Sequence, residues 1–211
     1  MSLLPDSATF HEQVEACFVA YRGRGVSLSA NDVQLVDAWA TADVPVEVVA
    51  RGLRKAAEAA LWDAAEGEGQ LRTLRAARRH VDAEISKYLK RTAGRTATTE
   101  AAAEPYAVTR HKRLAALLKK LARQHPALAS TAAWVAAQPA PDDFQQGNRL
   151  EELALALLLR ALPFPERTSL LRQARRLVEN APAMTAGARR ESLRFHRAAL
   201  VRHRWDVPAF W

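Results

Sequence analysis

Apolar residues return every three or four positions along almost the whole chain, and the strict alternation of a half-buried strand is nearly absent. This pattern predicts an all-α protein. A first helix is expected over Ser7 to Tyr21, stopped by the glycines of "RGRG". Ser29 is placed to cap a second helix, with Asp32 at the third helical position in a capping-box-like arrangement, and that helix runs to about Ala42. Asp43 is expected to cap a third helix, with Pro45 in its first turn. That helix continues toward Ala65, where "EGEG" breaks it, and a fourth spans Gln70 to Arg91.

The stretch "TAGRTATTEAAAEP", Thr92 to Pro105, is small, polar and without period, and reads as a linker. About five further helices follow, separated by breaks at "HPAL", "QPAPDDFQQG", "PFPE" and "NAPAMTAG". The expected organisation is two helical units. Residues 1–91 form a four-helix, bundle-like unit, residues 92–105 the linker, and residues 106–211 a basic helical unit with an aromatic tail.

Charge changes this picture more than composition does. The chain of 211 residues carries a net charge of +8, unevenly spread. Residues 1–69 hold 5 Lys and Arg against 11 Asp and Glu, net −6; residues 70–123 hold 14 against 4, net +10; residues 124–211 hold 12 against 8, net +4. The cationic part favours acidic partners, nucleic acid first among them. A high proportion of Arg and Ala also accompanies high-GC coding, so Arg content alone identifies no partner.

Three predicted helices set a basic stripe opposite an apolar one. On the fourth helix Arg72, Arg75, Arg79 and Lys90 share a face, with Leu74, Val81, Ile85 and Tyr88 behind. Near residues 110–124, Leu114, Leu117, Leu118 and Leu121 form the buried side, and Lys112, Lys119 and Arg123 point away. On the last helix Arg190, Arg194, Arg197 and Arg204 line up against Leu193, His196, Ala199 and Leu200, with no carboxylate inside the basic arc. Each stripe alone is what the solvated side of an amphipathic helix looks like. Together they make a candidate phosphate-contacting surface, for which the planar fork of Arg is well suited. At the chain end Trp205, Phe210 and Trp211 are candidates for docking a partner or for packing on the protein's own surface.

The segment "ADVPVEVVAR" resembles the turn and second helix of a lactose-repressor-type helix-turn-helix, with Ala42, Val44, Val48 and Arg51 in matching places. An acidic reading head is repelled by phosphate, and Trp39 stands where that motif takes a small residue. Trp39 is instead expected to anchor the core, beside Leu35 and Val36. "LSANDVQLVDAW" followed by "VPVEVVARGLRKAAE" resembles the DnaD-type helical domain of bacterial replication-initiation proteins, over residues 28–90. Leu28, Ser29, Trp39, Val48, Val49, Arg54, Lys55 and Ala56 carry that resemblance; Ile85 and Tyr88 stand in a different order from the family's Tyr-Ile motif. It implies a helical module associated with DNA.

Signals for catalysis, metals and cofactors are weak. The single cysteine, Cys17, lies among apolar residues and reads as a buried, inert thiol. His196 and His203 are seven apart, too far for a metal pair on adjacent turns. Asp142 and Asp143 read as helix caps, and Glu151 and Glu152 as first-turn residues rather than an acid–base pair. "RGRG" is too short for a phosphate-binding glycine loop. No cofactor, metal or catalytic residue is therefore expected. The N-terminus lacks the marks of a leader, and "LALALLL" is too short to span a bilayer, so a cytoplasmic location is expected. The expected function is a non-enzymatic adaptor that holds nucleic acid by its backbone, with a protein scaffold docking acidic partners as the alternative.

Overall fold

The structure, a computed structural model, describes residues 8–22, 28–62, 71–97, 106–179 and 184–208. The described residues are all-α, with no strand among them. The helices are α1 (Phe10–Arg22), α2 (Ala30–Thr41), α3 (Val46–Trp62), α4 (Leu74–Ala97), α5 (Tyr106–Gln124), α6 (Ala129–Ala137), α7 (Phe144–Arg160), α8 (Phe164–Glu179) and α9 (Ala186–Trp205). A short 3-10 turn, Pro126–Leu128, leads into α6.

Residue contacts divide the chain into two compact units. One comprises Met1–Thr99 and Ala174–His196, the other Glu100–Gln173 and Arg197–Trp211. This departs from the contiguous division expected at residues 92–105 in two ways. α4 continues to Ala97, so Thr92–Ala97 is helical rather than a linker; the Thr92 hydroxyl bonds back to the Tyr88 and Leu89 carbonyls at 3.2 and 3.0 Å. Residues 98–105 lie outside the described residues. The first unit also takes segments of α8 and α9, burying Ala174, Val178 and Phe195. The Phe195 ring sits 4.6 Å from that of Tyr21 in α1. Net charge does not reveal which core receives the apolar face of a helix, and burial of that face decides the grouping.

In the first unit α3 is central, packed by α1 and α4, and buries Val48, Val49, Gly52, Leu53, Ala56 and Ala57. At Gly52 the helices meet so closely that a β-carbon would lie 2.5 Å from the Val81 Cα. Trp39 is 4 % exposed, a core residue as expected. "ADVPVEVVAR" holds the connection from α2 and the first turns of α3, whose Val48 and Val49 are buried in this core. Its geometry follows from Asp43, which adopts φ 51°. The Asp43 N–H then bonds to the Ala40 carbonyl at 3.0 Å and the Val44 N–H to the Trp39 carbonyl at 3.2 Å, closing α2 in a Schellman turn. Asp43 thus ends α2 and does not cap α3. The same triplet, Asp206-Val207-Pro208, closes α9: Asp206 has φ 51°, and the Val207 N–H bonds to the Arg202 carbonyl at 2.9 Å.

The capping box at α2 forms as its spacing predicts. The Ser29 side chain accepts from the Asp32 N–H at 3.2 Å, and the Asp32 carboxylate accepts from the Ser29 N–H and hydroxyl. That carboxylate is buried, and its other oxygen accepts from the Leu74 N–H at 3.0 Å. One side chain therefore satisfies orphan donors at the N-termini of both α2 and α4.

In the second unit α5 packs on α6, α6 on α7, and α5 also reaches α7. The Asp143 carboxylate caps α7, accepting from the Gln146 N–H at 2.7 Å. Because α7 begins at Phe144, Glu151 falls mid-helix, not in the first turn as expected. It is buried and faces the equally buried Arg202 of α9 at 3.1 Å.

Candidate nucleic-acid interface

The expected basic residues fall in both units. Arg72, Arg75, Arg79, Lys90, Arg190 and Arg194 belong to the first; Lys112, Lys119, Arg123, Arg197 and Arg204 belong to the second.

On α4 burial of Leu74, Ala77, Val81 and Glu84 turns Arg75, Arg79 and Lys90 outward, and Arg72 is exposed just before the helix. The face is not purely cationic. Arg78 and Asp82 pair at 3.4 Å on the solvent side, and the Arg79 Nε–H donates to His80 at 3.2 Å. Behind it lies a charge cluster that periodicity did not reveal. Glu84 is 3 % exposed, with Lys55 at 2.7 Å, Lys87 at 2.8 Å and Arg51 at 3.6 Å. Burial alone would raise its pKa, but hydrogen bonds and charge from Lys55 and Lys87 hold the carboxyl down at about 2. These cations serve the packing of α3 against α4.

α5 differs. Its sequence, YAVTRHKRLAALLKKLARQ, contains no carboxylate. Leu114 and Leu118 are buried, with Leu117 and Leu121 half-buried, and this apolar side points Lys112, Lys119 and Arg123 into solvent as expected. Arg113 and Lys120, which a narrow stripe left out, are exposed too. The five cations cover an arc of about 120° at 100° per residue. The signal for the extra two was the doubling in "HKR" and "LKK", which widens the stripe by one residue. Among the described residues, Arg113, Lys119, Lys120 and Arg123 have no ion-pair partner. Lys119 and Arg123, four apart, repel one another, which an anion would relieve.

The α9 stripe is compensated, contrary to expectation. Arg190 is exposed and Arg197 half-buried, but Arg194 pairs with Glu191 at 3.4 Å and Arg204 pairs with Glu166 of α8. Glu191 lies one helical turn from Arg194, and Glu166 is 38 residues away in sequence, beyond what one helix's spacing shows. Trp205 does not present a docking surface. It is 6 % exposed, and its indole N–H donates to the Leu158 carbonyl at 3.3 Å. Burying its large ring against α7 outweighs leaving it in water at a helix end. Phe210 and Trp211 lie outside the described residues.

Two clefts open on the second unit. One, of about 360 Å³, lies at the C-terminal ends of α5 and α9 and is lined by Lys120, Gln124, His125, Arg204, Trp205 and Asp206, with Leu117 and Leu121. The His125 and Trp205 rings meet edge-on at 5.2 Å, and the Arg204 guanidinium sits 5.0 Å over Trp205. The other, of about 430 Å³, is a mainly apolar trough between α6 and α7 lined by Thr131, Trp134, Leu153, Leu157 and Arg160.

Cys17 is partly buried in the first unit, where burial and the Glu191 charge push the thiol up to about 11, leaving it protonated and a poor nucleophile. His196 is 1 % exposed, neither ring nitrogen has a hydrogen-bond partner among the described residues, and burial lowers its pKa to about 4. Among the described residues no three His, Cys, Asp or Glu side chains group as metal ligands, and no helix is long and apolar enough to cross a membrane. Protein-family models, curated proteins and solved structures give no match to this chain.

Proposed function

We propose that this protein is a nucleic-acid-associated adaptor that grips the phosphate backbone through α5, without reading base sequence from a groove. The observation that carries the reading is the α5 face: five exposed cations on one arc of a helix that has no carboxylate of its own. The basic faces of α4 and α9 are secondary, because Asp82, Glu191 and Glu166 offset them. The resemblance of residues 28–90 to the DnaD-type domain points in the same direction. Backbone contacts of this kind set register and affinity but carry no sequence information.

Binding of the full chain to a random-sequence duplex, measured across a salt series, tests the reading. Five phosphate contacts would set the slope of log K against log salt at up to about −4.5. Replacing Lys112, Arg113, Lys119, Lys120 and Arg123 by Gln is expected to remove most of that slope and weaken binding equally for unrelated sequences. Absence of binding at low salt, or an unchanged slope in the variant, rejects it.

A further inference from the structure

The cleft at the end of α5 asks for something a phosphate backbone does not supply. Lys120 belongs both to the exposed cationic face and to the cleft lining. Beyond it the chemistry changes. The cleft lies where α5 and α9 end, so both helix dipoles present their negative ends. Asp206 adds an exposed carboxylate, and Gln124 a side-chain amide. Arg204, the other cation of the lining, is already paired with Glu166. The interior therefore disfavours an anion and favours a group that donates hydrogen bonds. It also offers ring surface: the exposed imidazole of His125, set edge-on to buried Trp205 at 5.2 Å. At about 360 Å³ it falls at the lower end of the range of small-ligand sites.

A nucleotide has both halves of this demand. Its phosphate matches Lys120 at the rim. Its base offers a flat face to an aromatic ring, and its sugar hydroxyl or base amino group donates to Asp206 or Gln124. We propose that the cleft takes one unstacked nucleotide of a single strand whose backbone runs along α5, so that single-stranded nucleic acid is the preferred ligand over duplex. This rests on the phosphate-binding reading of α5 and adds the strandedness of the ligand. A duplex keeps its bases stacked and must extrude one to fill such a cleft. Charge alone works the other way, because duplex binding releases more counterion per phosphate than single-strand binding. A preference for single strands therefore cannot come from the cations.

The test is fluorescence anisotropy of the full chain at fixed low salt, with a labelled 12-nucleotide mixed-sequence single strand, in ribose and deoxyribose forms, and the DNA duplex of the same sequence. The parent protein is expected to bind the single strand at least about tenfold more tightly than the duplex, as one base stacked on an aromatic group implies. Gln124 and His125 are both exposed, so the Q124A/H125A variant retains the fold, which circular dichroism verifies. It is expected to lose that tenfold margin while its duplex affinity and salt slope stay at the parent's values. K112Q/R113Q/K119Q/R123Q, which leaves the cleft intact, is expected to weaken both ligands. A tighter ribose form assigns the donor facing Asp206 to the 2′-hydroxyl, and equal ribose and deoxyribose affinities assign it to the base; both support the cleft. Equal binding of single strand and duplex by the parent, or a margin that survives Q124A/H125A, overturns the cleft proposal and leaves the α5 reading standing. Failure of the parent to bind either ligand overturns both.

Discussion

Replacing Gly52 by alanine sets helix propensity against tertiary packing, and the two predict opposite signs. Gly52 lies in the interior of α3, where alanine is favoured over glycine by about 1 kcal/mol. A newly buried methyl adds about 0.8 kcal/mol of transfer free energy. Taken alone, α3 should be stabilised. At this position, however, the new β-carbon lies 2.5 Å from the Val81 Cα, 2.8 Å from its Cγ2 and 2.9 Å from its backbone nitrogen. Carbon atoms prefer separations of about 3.5–4.0 Å, so the shortfall is about 1 Å. Two of the three close atoms are backbone, so no rotamer change relieves the contact; α3 and α4 must move apart. That opens the seam holding Leu53, Leu74 and Ala77, all fully buried or nearly so. Overpacking of this kind costs about 1–3 kcal/mol or more, and a backbone collision belongs at or above the top of the range. The net expectation is a loss of about 2 kcal/mol, or roughly 4–8 °C in melting temperature for a chain of this size. Urea unfolding followed by far-UV circular dichroism reads it as a lower midpoint at unchanged slope. Adding Val81→Ala removes Cγ2 but neither backbone atom, so recovery should be at most partial. A midpoint that rises in Gly52→Ala would show that the helices do not meet as closely as described, and the reasoning would fall.

Further outcomes follow from other long-range contacts. Asp32→Ala removes the reciprocal half of the α2 capping box, leaving Ser29 as the cap, and strands the buried Leu74 N–H; it is expected to cost about 2–4 kcal/mol in urea unfolding, and a loss below that of an ordinary exposed cap would separate Asp32 from α4. Glu151→Leu leaves Arg202 charged in the core and should cost about 3–5 kcal/mol, whereas Glu151→Leu with Arg202→Met should come close to the parent, and equal losses in both would refute the pairing. His196 has a folded pKa of about 4 against an ordinary 6.5, so the unfolded chain binds the extra proton between these values. Its contribution is complete above about pH 6.5 and is lost as pH falls through 4, by about 3 kcal/mol in all. His196→Leu should flatten stability over that window, and an unchanged profile would place the titration elsewhere. Glu84 acts lower: its pKa is depressed to about 2, so its stabilisation is present above the ordinary 4.5 and disappears as pH falls toward 2. Glu84→Gln should flatten only that lower window in the same acid titration, and a profile unchanged below pH 4.5 would refute it.

What the sequence determined by itself was local. Apolar spacing of three and four is a property of one helix, so the all-α class, the buried leucines of α5 and the outward Lys112, Lys119 and Arg123 could be read directly. The capping box of Ser29 and Asp32 closes within four residues and was legible for the same reason. What only the tertiary structure decided involved partners far apart in the chain. The second role of Asp32 is 42 residues away, Glu151 and Arg202 are 51 apart, and Arg204 meets Glu166 across 38. None of these distances leaves a period in the sequence, because each depends on which helix faces which. The same holds for Trp205: its composition permits docking or burial, and only the presence of α7 beneath it settles the matter. The Asp43 turn was misread for a different reason. A cap for the following helix and a left-handed end for the preceding one use the same residue type at the same point, and the chain path between packed helices chose the second. The division into units was drawn at the polar stretch from Thr92, and a break in period there carries no information about which later segments, those of α8 and α9, return to the first core. Two stripes of similar periodicity thus differ: on α9 Glu191 and Glu166 meet Arg194 and Arg204, while on α5 Lys119 and Arg123 meet no carboxylate among the described residues.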